Sequence, residues 1–216
     1  MIPIRDDNAR HHFPVVTISL IAANVIIFIY QSLLPATQVG EFILDFGAVP
    51  YYITNGSHLG TIFSSMFLHG GLMHLGGNML YLFIFGDNIE SVLGSVRYLL
   101  FYLLCGVLAF ASHYIIDLSS QIPMIGASGA ISGVLGAYAV RFPHARVSVL
   151  LPLVIIWQVI TIPAVLVLGF WFVLQLFSGA TGSAQSGGVA WLAHVGGFAA
   201  GVIFMLVWRR RHKFGF

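Results

Sequence analysis

Apolar stretches about as long as a bilayer is thick follow one another through this chain, and no other feature constrains its fold so strongly. Six can be read: Val15–Leu34, Gly71–Phe85, Tyr98–Ile116, Ser128–Val140, Leu153–Phe177 and Val189–Trp208. A membrane helix needs about 20 predominantly apolar residues. Only 7% of the 216 residues are charged and 58% are hydrophobic, whereas about a quarter of a soluble domain is charged. An ordinary soluble domain is excluded. A helix satisfies its own backbone in lipid, so the expected fold class is an all-α membrane protein, a bundle of six transmembrane helices. The first stretch reads as an anchor rather than a cleaved signal, whose apolar core is roughly 7–15 residues.

The basic residues set the orientation. All nine Lys and Arg fall in the N-terminal tail (Arg5, Arg10), after span 2 (Arg97), after span 4 (Arg141, Arg146) or in the C-terminal tail (Arg209, Arg210, Arg211, Lys213). With six spans these positions share one side. Positive segments stay in the cytoplasm, so both termini are expected there, in a membrane of the bacterial inner (plasma) type. Residues 1–14 then form a polar cytoplasmic tail, 15–208 one membrane domain and 209–216 a basic cytoplasmic tail. The basic tail reads as a topology anchor, with no nucleic-acid partner implied. Cys105 is the only cysteine. It cannot form an intramolecular disulfide and is expected to pack as a small apolar residue.

Two connections stand out. Pro35–Leu68 is long and rich in apolar residues such as Phe42, Ile43, Phe46 and Tyr51, so short helices half-sunk in the interface are expected. Ser178–Gly188 is small, polar and flexible, and suits a lid. Span 4 is also unusual. Ser128 lies 13 residues before Arg141, a helical rise of about 20 Å against a hydrocarbon core of about 30 Å. Pro123 and Gly126 disfavour upward extension. The irregular chain above Ser128 is tolerable only beside a buried or wet cavity. A water-filled external cavity with Ser128 at its floor is therefore expected around a short central helix 4.

Three polar groups lie at matching depth on three spans. His194 is 15 residues before Arg209 and His74 is 13 before Asp87, about 22 and 20 Å above the basic boundary. Asn78 is one turn below His74 on the same face. Gly129, Gly133 and Gly136 on span 4, and Gly197 and Gly201 on span 6, would let these two helices approach closely. A hydrogen bond from Ser128 to His194 would activate a hydroxyl that is otherwise a weak nucleophile. The backbone N–H groups of the turn Gly126-Ala127-Ser128-Gly129 would form an oxyanion site, aided by side-chain donors from His74 and Asn78. No carboxylate lies near the depth of His194, and Asp117 belongs at the external end of span 3. A Ser–His dyad is the expected constellation.

The segments His69-Gly70-Gly71-Leu72-Met73-His74-Leu75-Gly76-Gly77-Asn78, Gly126-Ala127-Ser128-Gly129 and Ala193-His194-Val195-Gly196-Gly197 closely resemble the three signature segments of the rhomboid intramembrane serine proteases. Glu90, Leu93-Gly94 and Arg97 match as well. The resemblance implies that Ser128 is the nucleophile and His194 the general base. It assigns His74 and Asn78 to the oxyanion site and places His69 near the mouth of the pocket. It also implies transmembrane proteins as substrates, cut in or near the membrane. The chain departs from the family in two places. The first external connection lacks the Trp-Arg pair many members carry. Ser132 replaces an aromatic that often stacks on the catalytic histidine, so His194 must be held by another ring or less firmly. If spans 2 and 5 are neighbours as in the family, Gly76 and Gly77 on one and a kink at Pro163 on the other would open a lateral substrate gate.

Plainer readings exist for each residue. A serine in this position alone would be a helix cap, and His74 and Asn78 alone would be interhelical ties. His58 and His113 read as structural. Phe170, Trp171 and Phe172 read as lipid-facing anchors. His69 and His74 are five residues apart with no HExxH pattern, so no metal or other cofactor is expected. The competing function is an inert rhomboid-fold protein that binds transmembrane clients. Such members typically lack the serine or the histidine, and both are present. A transporter would carry charges in mid-span, and these spans have almost none.

Overall fold

A computed structural model describes residues 2–8, 13–153, 156–181 and 191–212. The chain is mostly helical. Its six longest helices are α1 (Val15–Leu33), α5 (Leu72–Leu93), α6 (Ser95–Tyr114), α7 (Ser128–Arg141), α8 (Ala164–Thr181) and α9 (Trp191–His212). The stretches Val15–Leu33, Ser95–Tyr114 and Trp191–Arg209 are each long and apolar enough to cross a membrane. The polar side chains within the helices are handled as lipid demands. Ser19, Asn24, Ser32, Asn88, Ser112 and Ser132 each donate to the carbonyl four residues earlier, so none of these donors is stranded.

The connection between α1 and α5 folds as short helices: α2 (Ala36–Phe46), α3 (Pro50–Thr54), α4 (Thr61–Ser64) and a single 3₁₀ turn (Ser65–Phe67). It is joined to the chain before α7 by reciprocal backbone bonds between Ala48 and Met124, 3.0 and 2.9 Å. The α5–α6 break lies at Gly94, whose φ of 77° and ψ of 152° are open almost solely to glycine. Just before it, Glu90 accepts from the N–H groups of Val16 and Thr17 and the hydroxyls of Thr17 and Ser95. One buried carboxylate thus ties the first turns of α1 and α6 together, where helix N–H groups lack partners.

α7 is the central helix. It is buried from Ala130 to Tyr138 and packs against α5, α6, α8 and α9. It ends at Arg141 with Phe142 as its C-cap, as expected before Pro143. Its contact with α9 is set by glycine. A methyl group on Gly201 would fall on the carbonyl oxygen of Gly133, one on Gly197 on that of Gly129, and one on Gly136 on that of Phe198. Backbones this close leave no room for any other residue.

A small sheet corrects several expectations. The chain is not purely α-helical, because β1 (Ile2–Asp6), β2 (Arg146–Leu153) and β3 (Ile156–Pro163) form an antiparallel sheet in the order β1-β2-β3. The N-terminal segment is therefore a paired strand, and the expected span Leu153–Phe177 is helical only from Ala164. An apolar run of this kind serves a strand as well as a helix. Here the alternation of buried Val147 and Val149 with more exposed Arg146 and Ser148 favours strand, as do Pro152 and Pro163. Pro163 accordingly ends β3 and precedes α8; it does not kink a helix. Most of the Ser178–Gly188 segment, and the tail beyond His212, lie outside the described residues.

Candidate active site

Ser128 is the first residue of α7 and His194 lies in the first turn of α9. The glycine contact below them draws the two helices together, and His194 Nε2 is 2.7 Å from Ser128 Oγ. The imidazole is buried, with 6% of its surface exposed, while Ser128 is half-buried. With the serine hydroxyl donating and the ring nitrogen accepting, this is the arrangement from which a base removes a hydroxyl proton. One turn down, the Ser132 hydroxyl donates to the Ser128 carbonyl at 2.6 Å, which fixes the turn that carries Ser128.

The turn before α7 has a strained conformation that only its sequence permits. Gly126 has a φ of 118°, a region reserved for glycine. A side chain there would also meet His74, whose Cε1 and Nε2 lie 2.8 Å from the Cβ position, and Ser128 Oγ is 3.7 Å from that point. His74 thus borders the same small space as the serine hydroxyl. The Gly126 N–H donates to the Ser65 carbonyl at 2.8 Å. Gly126 therefore shapes the turn, and its N–H, expected among the oxyanion donors, is engaged by the Ser65 carbonyl. The N–H groups of Ser128 and Gly129 belong to the first turn of α7, where a helix has no carbonyl to receive them.

Asn78 and His74 both lie on α5, but their partners differ. The Asn78 amide donates to His69 Nε2 at 2.9 Å, and the rings of His69 and His74 meet edge to face with centroids 5.0 Å apart. His69 does not stand at a pocket mouth. It is fully buried, because the Gln31 side chain on α1 grips its backbone, donating to its carbonyl at 2.8 Å and accepting from its N–H at 3.4 Å. Gln31 was not singled out by the sequence. A long amide side chain beside Ser32 in the last turn of an apolar helix was the available signal.

The ring expected in place of the aromatic missing at Ser132 is Trp171 of α8. Its centroid is 5.9 Å from that of His194 and 6.5 Å from that of Tyr81. Trp171 and Phe172, which packs on Phe198 at 4.8 Å, thus face the bundle and are not lipid anchors, whereas Phe170 is exposed. Asp117 accepts from the Ser119 N–H and hydroxyl, closing its own turn. Among the described residues no cluster of His, Cys, Asp and Glu could hold a metal ion.

A family model for the rhomboid domain matches residues 56–211. Rhomboid protein 1, mitochondrial, of Saccharomyces cerevisiae is 32% identical over 151 residues, covering 67% of this chain and 40% of that protein. Rhomboid protease GluP of Bacillus subtilis is 32% identical over 124 residues, 57% of this chain and 24% of its own length. Presenilin-associated rhomboid-like protein, mitochondrial, of Homo sapiens is 33% identical over 88 residues, 40% and 23% respectively. The chain thus spans less than half the length of each of these relatives.

Proposed function

This chain belongs to the rhomboid family and is an integral membrane protein, and we propose on that basis that it is an intramembrane serine endopeptidase. The observation that carries the reading is the 2.7 Å approach of His194 Nε2 to Ser128 Oγ. Ser128 Oγ attacks the scissile carbonyl carbon as His194 Nε2 takes its proton. The oxyanion that develops is met by the N–H groups of Ser128 and Gly129, with His74 and Asn78 beside them. Collapse expels the amine with the proton from His194. Water, deprotonated by the same ring, then releases the acyl group from Ser128. The chemistry uses no cofactor, and a Ser–His dyad suffices for it.

The substrates are transmembrane segments of other proteins. A six-span bundle with both termini on the cytoplasmic side puts Ser128 nearer the opposite face, at the bottom of a wet cavity. A substrate whose own span continues on both sides enters laterally from lipid. The seam between α5 and α8 suits this entry, because Gly76 and Gly77 have open space beside them and Tyr81 and Trp171 are the rings that meet across it. The purified protein should be labelled by a fluorophosphonate at Ser128, and His194→Ala should lose the label. A label mapped elsewhere, or one formed equally fast without His194, would overturn the dyad and favour an inert protein that binds transmembrane clients.

A further inference from the structure

The outer face of the three-stranded sheet is not used by the active site, and its residues are graded along the strands. Paired residues in an antiparallel sheet share a face, and neighbours along a strand alternate faces. The inner row contains Val147 and Val149, both fully buried, with Pro3 opposite Val149 and Ile162 opposite Val147. The outer row begins with Arg146. It continues through Arg5, Ser148 and Thr161, then Ile2, Leu150 and Val159, and ends at Trp157. Trp157 is 66% exposed and Val159 56%. Over the eight residues of β2, about 26 Å at strand rise, the face passes from cationic through hydroxylic to apolar and aromatic.

The position of this sheet determines what can cover it. β2 begins five residues after α7 ends, and β3 runs directly into α8, so the sheet hangs between two helices of the membrane bundle. It stands at the end where Arg97 lies over Trp208 and Arg209 reaches the Val140 carbonyl. The bilayer surface beside the bundle is therefore within reach of both its ends. Arg5 and Arg146 are exposed and suit lipid phosphates. The Asp7 carboxylate accepts from the Arg146 N–H at 2.8 Å and so lies beside these cations, but the two arginines outnumber it and leave this end of the face with an excess of positive charge. Tryptophan with aliphatic neighbours is the composition favoured at the interface. The free edge of β3 cannot enter the hydrocarbon, where its unpaired backbone groups would be unsatisfied. The sheet must then lie along the headgroup layer with only its outer side chains inserted.

We propose that this outer sheet face is a lipid-docking surface that binds the anionic headgroup layer of the surrounding bilayer, with Arg5 and Arg146 on phosphates and Trp157, Val159 and Ile2 in the interface. The full chain in nanodiscs tests it, with a nitroxide placed in turn at residues 157, 158 and 159 in a Cys105→Ala background. In phosphatidylglycerol discs, oxygen should relax the labels at 157 and 159 more than a water-soluble nickel chelate does. The label at 158, on the opposite face, should show the reverse. Combining Arg5→Gln with Arg146→Gln, or replacing phosphatidylglycerol by phosphatidylcholine, should move 157 and 159 toward the nickel chelate. Thermal unfolding of each labelled protein at the unlabelled midpoint establishes that the sheet is intact. Equal nickel access at all three positions would place the face in water and overturn the proposal. Shielding of 157 and 159 from both reagents would mean a protein partner or second copy covers it, and would overturn it equally.

Discussion

The two ends of α7 are held by opposite means. At the Ser128 end the helix is fixed by close backbone contact with α9, one side-chain bond to His194 and the Gly126–Ser65 backbone bond. At the other end polar groups are consumed in a local network. The Tyr138 hydroxyl donates to Asp6 at 2.7 Å and accepts from Asn8 at 2.8 Å, and Asn8 also donates to Asp6 at 2.9 Å. Arg209 adds a bond to the Val140 carbonyl. One end leaves helix N–H groups without a carbonyl to receive them; the other uses its polar groups to lock the fold. The division predicts that substitutions at the first end slow turnover without unfolding the protein, and that those at the second unfold it without touching the chemistry.

The largest effect should come from Ser128→Ala, with cleavage of a transmembrane substrate reduced by on the order of 10⁴-fold or more and the thermal midpoint unchanged. Wild-type proteolysis by that variant would break the division at its functional end. Next comes Glu90→Ala at the opposite end. It strands four donors, from Val16, Thr17 and Ser95, and bonds to a charged group contribute about 1.5–3 kcal/mol each. Unfolding monitored in detergent should show a loss of several kcal/mol; a change below about 1 kcal/mol would mean that this carboxylate does not clamp α1 to α6. Asn78→Ala should reduce turnover by about 10²-fold, as for a typical oxyanion donor. Because its amide also holds His69, the same assay on Asn78→Asp separates the two roles: the carboxylate has no donor for an oxyanion but can still accept from His69 in its Nε2–H tautomer. A full rate in Asn78→Asp would make Asn78 only a tie to His69.

The membrane helices and the Ser128–His194 pair were legible because the signals behind them are local and redundant. The length of an apolar run, the segregation of basic residues and glycine spacing each act within one segment, and Ser128 begins α7 at the expected residue because Gly126 and Pro123 stop the helix there. The sheet was not legible. Residues 146–163 are as apolar as a span, and the strand pairing that decides their structure involves Ile2–Asp6, more than a hundred residues away. The place of Trp171 was hidden for a related reason. Three consecutive aromatics point in different directions around a helix, and composition alone does not say which one meets His194. His69 illustrates a third limit, since its burial depends on Gln31 from another helix.

Tyr138→Phe is a finer probe of the locked end. It removes the bond to Asp6 and the acceptor for Asn8 while keeping the ring that packs on Phe85 and Phe142. A loss of about 1–3 kcal/mol is expected for the polar groups left behind, with the rate constant for cleavage unchanged at a temperature where the protein stays folded. A fall in that rate matching Asn78→Ala would mean that the two ends are coupled along α7.

The smallest effect is one of pH. Burial raises the Asp6 carboxyl above its ordinary value of 3.8, and the bonds from Tyr138 and Asn8 offset this only in part. The folded chain therefore holds the Asp6 proton more tightly than the unfolded chain does. As pH falls from neutral through the raised value, the folded state takes up the proton first and gains stability. The gain is complete near the unfolded value, below which both states are protonated. Asp6→Asn is uncharged throughout and lacks this dependence. Other carboxylates titrate in both proteins, so the difference between their thermal midpoints isolates Asp6. Measured in one detergent from about pH 7 to about pH 4, that difference should move in favour of the wild type as pH falls. A difference that stays flat would show that Asp6 is as well solvated folded as unfolded. One that moves toward the variant would show that the Tyr138 and Asn8 bonds outweigh burial, and the locked end of α7 would then be held by a carboxylate the fold prefers charged.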